Sequence, residues 1–385
     1  IRFTSCFANH FIGVIEMNPR VFITERRLAR TVLPHNVRKY SSPEHVNSTP
    51  MKSITIASLA ALACLAASVR AQQVSIVFDG KDGPGKGKHV VLLAGDEEYR
   101  SEEAMPMIGK ILSQRHGFKC TVLFSVDADG TINPDAGGSL TNPGALDTAD
   151  AIVMLLRFRH WDDEANQKFE AAFNRGVPFI ALRTSTHAFN GLKGPYEKWN
   201  YGNKGGFGKQ VLGETWVSHW GRHKVEAMLG IVEKGAENHP ILRGTGQIFA
   251  DSDTYEAYPP ADAKILVRGQ VLKGMKPTDP PADYVKKRAS DKQDQGVNDP
   301  MMPVAWTREH KNEAGTVNKI FTTTMGAATD LQSEGTRRLM VNAVFWGLGL
   351  EVPAKANVDY LGEYKPTMYS FKGYKKGVKP SDHKL

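Results

Sequence analysis

The sequence predicts a doubly wound α/β fold built on a mostly parallel sheet. Residues 177–182 are a short apolar run, bounded by Gly176 and Pro178, that stops abruptly at Arg183, Thr184, Ser185 and His187. It is too short for a helix buried all round and suits a central parallel strand. Residues 89–94 and 149–156 are similar runs, ending in Gly95, Asp96, Glu97 and Glu98 and in Arg157, Phe158 and Arg159. The segments between them give the order strand, helix, strand, strand, helix, strand, as in a parallel sheet. Right-handed crossovers then bring all three polar ends to one edge, where open α/β sheets bind ligands.

Taken in order, residues 89–94 form the first strand, reached through the Gly/Lys-rich turn 80–88. Ser101, followed by Glu102 and Glu103, is placed to cap a helix running to about Arg115, with Met105, Ile108, Ile111 and Leu112 on one face. Residues 118–124 return as a strand, and a Gly/Asp/Asn/Pro-rich loop covers 127–144. After the strand at 149–156, Asp162 is the expected cap of a helix through Asn174 that turns Phe169, Ala172 and Phe173 inward.

Beyond the strand at 177–182, residues 191–211 are expected as a long loop over the sheet edge, with Tyr196, Trp199, Tyr201 and Phe207 in it. Further strands are expected at 224–233, 263–272, 304–307 and 319–324. The charged, Pro-rich stretch 273–300 has no period and is expected as a surface excursion. Residues 334–348 predict a helix with Leu339, Val341, Val344, Phe345 and Leu348 on a broad apolar face. The lysine-rich tail 351–385 is expected to be solvated or loosely packed.

The composition is that of a globular protein, with 41% hydrophobic and 23% charged residues. The net charge of +8 gives little reason to expect a nucleic-acid partner, because residues 1–71 carry +6 of it and leave no basic domain. Met51 and Lys52, an apolar stretch, and Val69, Arg70 and Ala71 form a secretory signal expected to be cut after Ala71. The apolar stretch is short of the roughly 20 residues of a spanning helix, so no stable membrane insertion is expected once it is removed. Residues 1–50 precede that signal and are expected to be a non-native extension; the mature protein is expected to be secreted or periplasmic. Cys6 and Cys64 lie in these leading segments, and Ala61, Leu62 and Ala63 match a lipidation pattern poorly. Cys120 alone remains, inside an apolar strand, where a buried, inert thiol is expected.

The stretch ending at Arg183 has the form of a nucleophile elbow, the strand-to-turn device that exposes a reactive Ser or Cys. Arginine stays protonated and cannot be a nucleophile, so Cys-dependent amide hydrolysis at this position is excluded. Ser185 and His187 make a couple only on an extended segment, and no G-x-S-x-G pattern is present. Convergence is the stronger signal. Glu98, Arg157, Arg159, Arg183, Ser185 and His187 come from three strand ends, with His219 arriving on a later loop. A carboxylate and histidines supply acid/base groups, arginines grip hydroxyls or anionic oxygens, and Tyr99, Trp161, Trp199 and Trp216 offer platforms for a sugar face. His219 and His223 have the i, i+4 spacing of two ligands on a helix face, so a divalent metal such as zinc is the competing use of these residues. Gly221 between them, and the lack of the Glu of H-E-x-x-H, weigh against it.

Leu93, Ala94 and Gly95 with Glu98 and Tyr99, the run from Arg183 to Phe189, Gly213 with Trp216 and His219, Asn238 to Ile241, and Asn342, Ala343, Trp346, Gly347 and Gly349 together resemble the ThuA-like (trehalose utilisation) family over about residues 88–350. This copy is similar to its secreted, planctomycete-type branch. The resemblance implies a flavodoxin-like sheet like that of class I glutamine amidotransferases without their Cys, and a role in carbohydrate catabolism on sugars, keto-sugars or glycosides. Many relatives carry His where this chain has Arg183, so a mechanism built on that His does not transfer. The resulting expectation is a hydrolase, lyase or isomerase with Glu98 and His187 as acid/base pair, Arg183 and Arg157 as grips, Tyr99, Arg159 and Trp216 as further binding residues, and His219 as a second proton carrier or metal ligand. The alternatives are a carbohydrate-binding module without catalysis and a metal-dependent hydrolase.

Overall fold

A computed structural model describes residues 75–385; the leading extension, the signal segment and Cys64 lie outside the described residues. The chain opens with β1 (Ser75–Phe78), β2 (His89–Gly95), α1 (Ser101–His116), β3 (Lys119–Phe124), β4 (Ala151–Leu156), α2 (Asp163–Asn174) and β5 (Phe179–Leu182). There follow β6 (Ser218–His219), β7 (Met228–Val232), β8 (Ile248–Ala250), β9 (Tyr255–Glu256), β10 (Lys264–Val271), β11 (Val285–Lys287) and β12 (Asp294–Gly296). The last elements are β13 (Met302–Lys311), β14 (Val317–Thr323) and α3 (Glu334–Gly347).

Ten strands join one sheet in the order β1-β3-β2-β4-β5-β14-β13-β10-β7-β8. The run β3-β2-β4-β5-β14 is parallel throughout, as its unbroken apolar sequences predict. Within it the first strand has the second on one side and the third on the other, which is the doubly wound, flavodoxin-like order with its switch point between β2 and β4. The other strands of the sheet are antiparallel. Alternate residues of the parallel strands face opposite layers. Val90 and Leu92 pack with α1 and α3, while Val91, Leu93, Ile152 and Met154 pack with α2.

Several expectations change on packing. Ser101 does not cap α1; Arg100 occupies that position at φ 59°, and the Ser101 hydroxyl instead accepts from the Asp96 N–H at 2.9 Å. Asp162 does cap α2, accepting from the Ala165 N–H at 2.9 Å. The 191–211 segment is less an edge cover than a core layer, because Trp199 and Phe207 are buried against Phe169, Phe173 and Phe189, with the buried Tyr196 packed on Trp199. Each such ring contributes about 1.5–3 kcal/mol by leaving water. The 273–300 excursion contains the β11–β12 hairpin, whose end is pinned by a 2.8 Å bond from Trp220 Nε1 to the Val297 carbonyl.

The tail is not loosely packed. Ala356, Val358 and Tyr369 are buried, and Arg337 and Arg338 of α3 donate to the Val358 and Ala356 carbonyls at 3.1 and 2.9 Å. Its lysines face solvent while the residues between them pack inward, a division that net charge alone does not reveal. Cys120 is buried in β3, and burial pushes its thiol pKa up, as expected of an inert thiol.

Candidate functional site

The turn after β2 is organised by the buried Asp96, which accepts from the Glu98 N–H at 2.7 Å and also from the Tyr99 N–H and the Thr184 hydroxyl. Burial pushes the Asp96 pKa up against these bonds. Glu97 pairs with Arg157 and, at 3.0 Å, with Arg159. Arg159 is buried and donates to the Pro134 carbonyl at 2.8 Å, so it anchors the 127–144 loop rather than gripping a substrate. Arg157 keeps partial exposure, its guanidinium 4.5 Å from the Phe158 ring and 5.0 Å from Phe371.

The turn after β5 is a true elbow. Arg183 sits at φ 43° in the left-handed region, and Gly208 packs so close that a Cβ there would lie 1.8 Å from the Thr186 carbonyl oxygen. Arg183 is completely buried, which overturns its role as a substrate grip. Its guanidinium lies between the Tyr99 and Tyr255 rings, 4.5 and 4.0 Å from their centroids, and donates to the Asp253 and Thr324 carbonyls at 2.6 and 2.8 Å and to the Tyr99 hydroxyl at 3.1 Å. It also pairs with Asp253 Oδ1 at 2.9 Å.

Ser185 is likewise structural: its hydroxyl donates to the Met154 carbonyl at 2.9 Å and accepts from the Leu156 N–H at 3.2 Å, closing the end of β4. The short helical turn at Arg183–His187 points Ser185 and His187 apart, so no Ser–His couple forms. His187 is buried, with its ring 5.1 Å from Phe158 and 5.6 Å from Trp216. Burial, reinforced by Arg157, holds its pKa well below the usual imidazole value, so it is neutral. The expected Glu98–His187 pair is therefore replaced: Glu98 Oε1 meets His223 Nε2 at 3.2 Å.

The centre that does assemble is built on Asp253. One carboxylate oxygen, Oδ2, accepts from His219 Nδ1 at 2.8 Å; the other, Oδ1, meets His223 Nδ1 at 3.0 Å as well as Arg183. Burial opposes the Asp253 charge, but Arg183 and the two imidazoles hold its pKa well below the carboxylate range. His223, bonded to Asp253 and Glu98, is raised to about 9. The 251–254 segment is fixed in turn by Asp330, which accepts the Ser252 N–H and hydroxyl at 2.9 and 2.6 Å together with the Gly326 and Ala327 N–H groups. His219 lies on β6, paired with Tyr255 of β9, and His223 lies in the turn beyond. The helical spacing expected for them is absent, yet they converge.

His219 keeps 36% of its side chain exposed, next to the partly exposed Trp216 at 5.8 Å. Tyr99, Trp161 and Trp199 are buried and offer no sugar platform; Trp216 remains. Lys286 of β11 donates to the His219 and Trp220 carbonyls at 2.7 Å each, and the buried Tyr369 closes the far side with its ring 5.5 Å from His223. Sequence reasoning gives Asp253, near Tyr255, only as a weak candidate that could simply serve a turn, and it does not single out Tyr369. The polar run from Asp251 to Glu256 between two apolar segments is the available signal in the sequence. Among the described residues, His219, His223 and Asp253 are a set able to hold a metal, with one donor atom from each lying within 4.8 Å of the others.

A doubly wound sheet with an elbow that carries no nucleophile, and a histidine–carboxylate centre held against Glu98 after β2 and Arg183 after β5, defines the class of this protein. The chain belongs to the ThuA family, described as trehalose utilisation, whose sequence profile matches residues 89–347. A ThuA-like protein of Parabacteroides merdae is similar to it at 12% identity and a TM-score of 0.44, over 70% of this chain and 92% of that one. One from Bacteroides uniformis gives 15% and 0.42 over 70% and 93%, and PurLQS from Thermotoga maritima 10% and 0.36 over 67% and 98%. No curated protein matches the chain. Among the described residues no helix is long and apolar enough to cross a membrane.

Proposed function

We propose that the protein is a secreted or periplasmic enzyme of carbohydrate breakdown, a hydrolase, lyase or isomerase that acts on a small sugar or keto-sugar at the exposed edge of His219. The observation that supports this most is the Asp253–His219 couple. Asp253 accepts from Nδ1 at 2.8 Å and so fixes the ring and its tautomer, leaving Nε2 free to take or give a proton. Trp216 beside it supplies a ring face for a sugar, and the neutral His187 lines the wall behind. The family's trehalose description makes a glucose disaccharide, or its keto form, the first substrate to try.

The test is turnover of keto-trehalose, with trehalose alongside, by the wild-type protein and by His219→Ala and Trp216→Ala. His219→Ala is expected to lose about 10²–10⁴-fold in kcat, the usual worth of a positioned acid/base group. Trp216→Ala is expected to raise KM more than it lowers kcat. Unchanged turnover in folded His219→Ala protein would sink the reading. Sugar-dependent stabilisation without any product would favour a carbohydrate-binding module instead, since a ligand that binds only the native state raises its stability.

A further inference from the structure

The geometry points to a divalent transition-metal site at the same centre, ligated by His219 Nδ1, His223 Nδ1 and Asp253 Oδ2, with Glu98 orienting His223 from behind. It shares the location of the reading above but does not rest on its chemistry: in the loaded state a metal ion, and not His219 Nε2, would face the substrate. Three features carry it.

The first is spacing. Asp253 Oδ2 lies 2.8 Å from His219 Nδ1 and Oδ1 lies 3.0 Å from His223 Nδ1, and one donor atom from each of the three residues lies within 4.8 Å of the others. Tetrahedral zinc with bonds of about 2.0–2.1 Å sets its ligand atoms roughly 3.3 Å apart, so donors within 4.8 Å of one another can gather round an ion in place of the Nδ1 protons by shifts of the side chains. The second is the division of labour at the carboxylate. Arg183 is bonded to Oδ1, which leaves Oδ2 as the oxygen free of a competing arginine.

The third feature is Glu98. Its Oε1 lies 3.2 Å from His223 Nε2, the ring nitrogen opposite the one facing Asp253. A carboxylate that receives the outer N–H of a ligating histidine is the arrangement that fixes tautomer and ring direction in zinc sites. Three protein ligands leave a fourth position for water or substrate, as catalytic zinc sites require, and the exposure of His219 puts that position within reach of solvent. A borderline ion such as zinc fits two imidazoles and one carboxylate; calcium and magnesium favour oxygen donors.

The experiment is calorimetric titration of the chelator-stripped, purified protein with Zn2+ alone. The expected result is one ion per chain, with affinity lowered at least 100-fold by His219→Ala or His223→Ala and about 10–100-fold by Glu98→Gln. Absence of saturable binding to the wild-type protein, or unchanged affinity in folded His223→Ala, overturns the site. Should the histidine variants fail to fold, Co2+ added to the wild-type protein decides: an intense visible spectrum of a low-coordinate nitrogen/oxygen site supports it, and the pale spectrum of hydrated cobalt overturns it. Keto-trehalose turnover measured on the same sample, both stripped and after zinc is restored, separates the two readings. Turnover without zinc binding removes the metal and keeps the acid/base enzyme; zinc binding without turnover keeps the metal and counts against the enzyme.

Discussion

Arg183 and Asp253 form an ion pair fully withdrawn from water, and each has further partners: two carbonyls and a tyrosine hydroxyl for the arginine, two imidazoles for the aspartate. Breaking such a pair leaves a buried charge without compensation, at a cost of about 3–5 kcal/mol. Asp253→Asn and Arg183→Met should each lose stability on that scale in urea denaturation, and the double variant should lose clearly less than the two together. Additive losses would show that the pair is not coupled. At this scale the sequence was only half legible. Arg183 could be excluded as a nucleophile from its chemistry alone, but nothing near it in sequence shows that it turns inward, because its carboxylate partner is 70 residues away. The same distance hid Asp253, while His219 and His223 stood out only because they lie close together in the chain.

Helix α1 carries an electrostatic load that its sequence disguises. Glu102 in its first turn would ordinarily stabilise the helix N-terminus, yet its carboxylate is buried with neither oxygen hydrogen-bonded, and burial raises its pKa to about 8 despite Arg100 nearby, with Glu103 and Asp96 adding to the rise. A carboxyl whose folded pKa lies above its unfolded value of about 4.5 leaves stability intact below that value and removes it as pH rises toward 8. Glu102→Gln should therefore flatten the fall in stability between about pH 5 and 8 and gain about 1–3 kcal/mol at pH 9, read from denaturation midpoints across pH. A slope unchanged from wild type would contradict this. Elements with long apolar or amphipathic sequences, β2 to β5 and helices α1 to α3, were readable because each buries a continuous face. The two-residue strands β6 and β9 and the charged β11–β12 hairpin were not, since they owe their form to partners distant in the chain.

For the molecule as a whole, the sheet edge is finished by chain that lies beyond the region matching the family. That match ends at residue 347, whereas Thr367, Met368 and Ser370 bind Arg100, the Ser370 N–H bonds the Glu98 carbonyl at 3.0 Å, and the Tyr369 ring packs at a tilt against Tyr99 and His223. The tail is thus one wall of the histidine centre. Tyr369→Ala should cost about 3–5 kcal/mol, as loss of a buried aromatic does, and should open that centre to water; a melting temperature unchanged from wild type would show that the tail is dispensable. The central claim is that chemistry runs at His219 on its Asp253 anchor. The most direct test is keto-trehalose turnover by His219→Ala beside His187→Ala, both confirmed as folded. The account predicts loss of about 10²–10⁴-fold in kcat for the first and a much smaller change for the second. Full activity in the His219 variant with loss confined to the His187 variant would contradict it and move the reaction to the elbow.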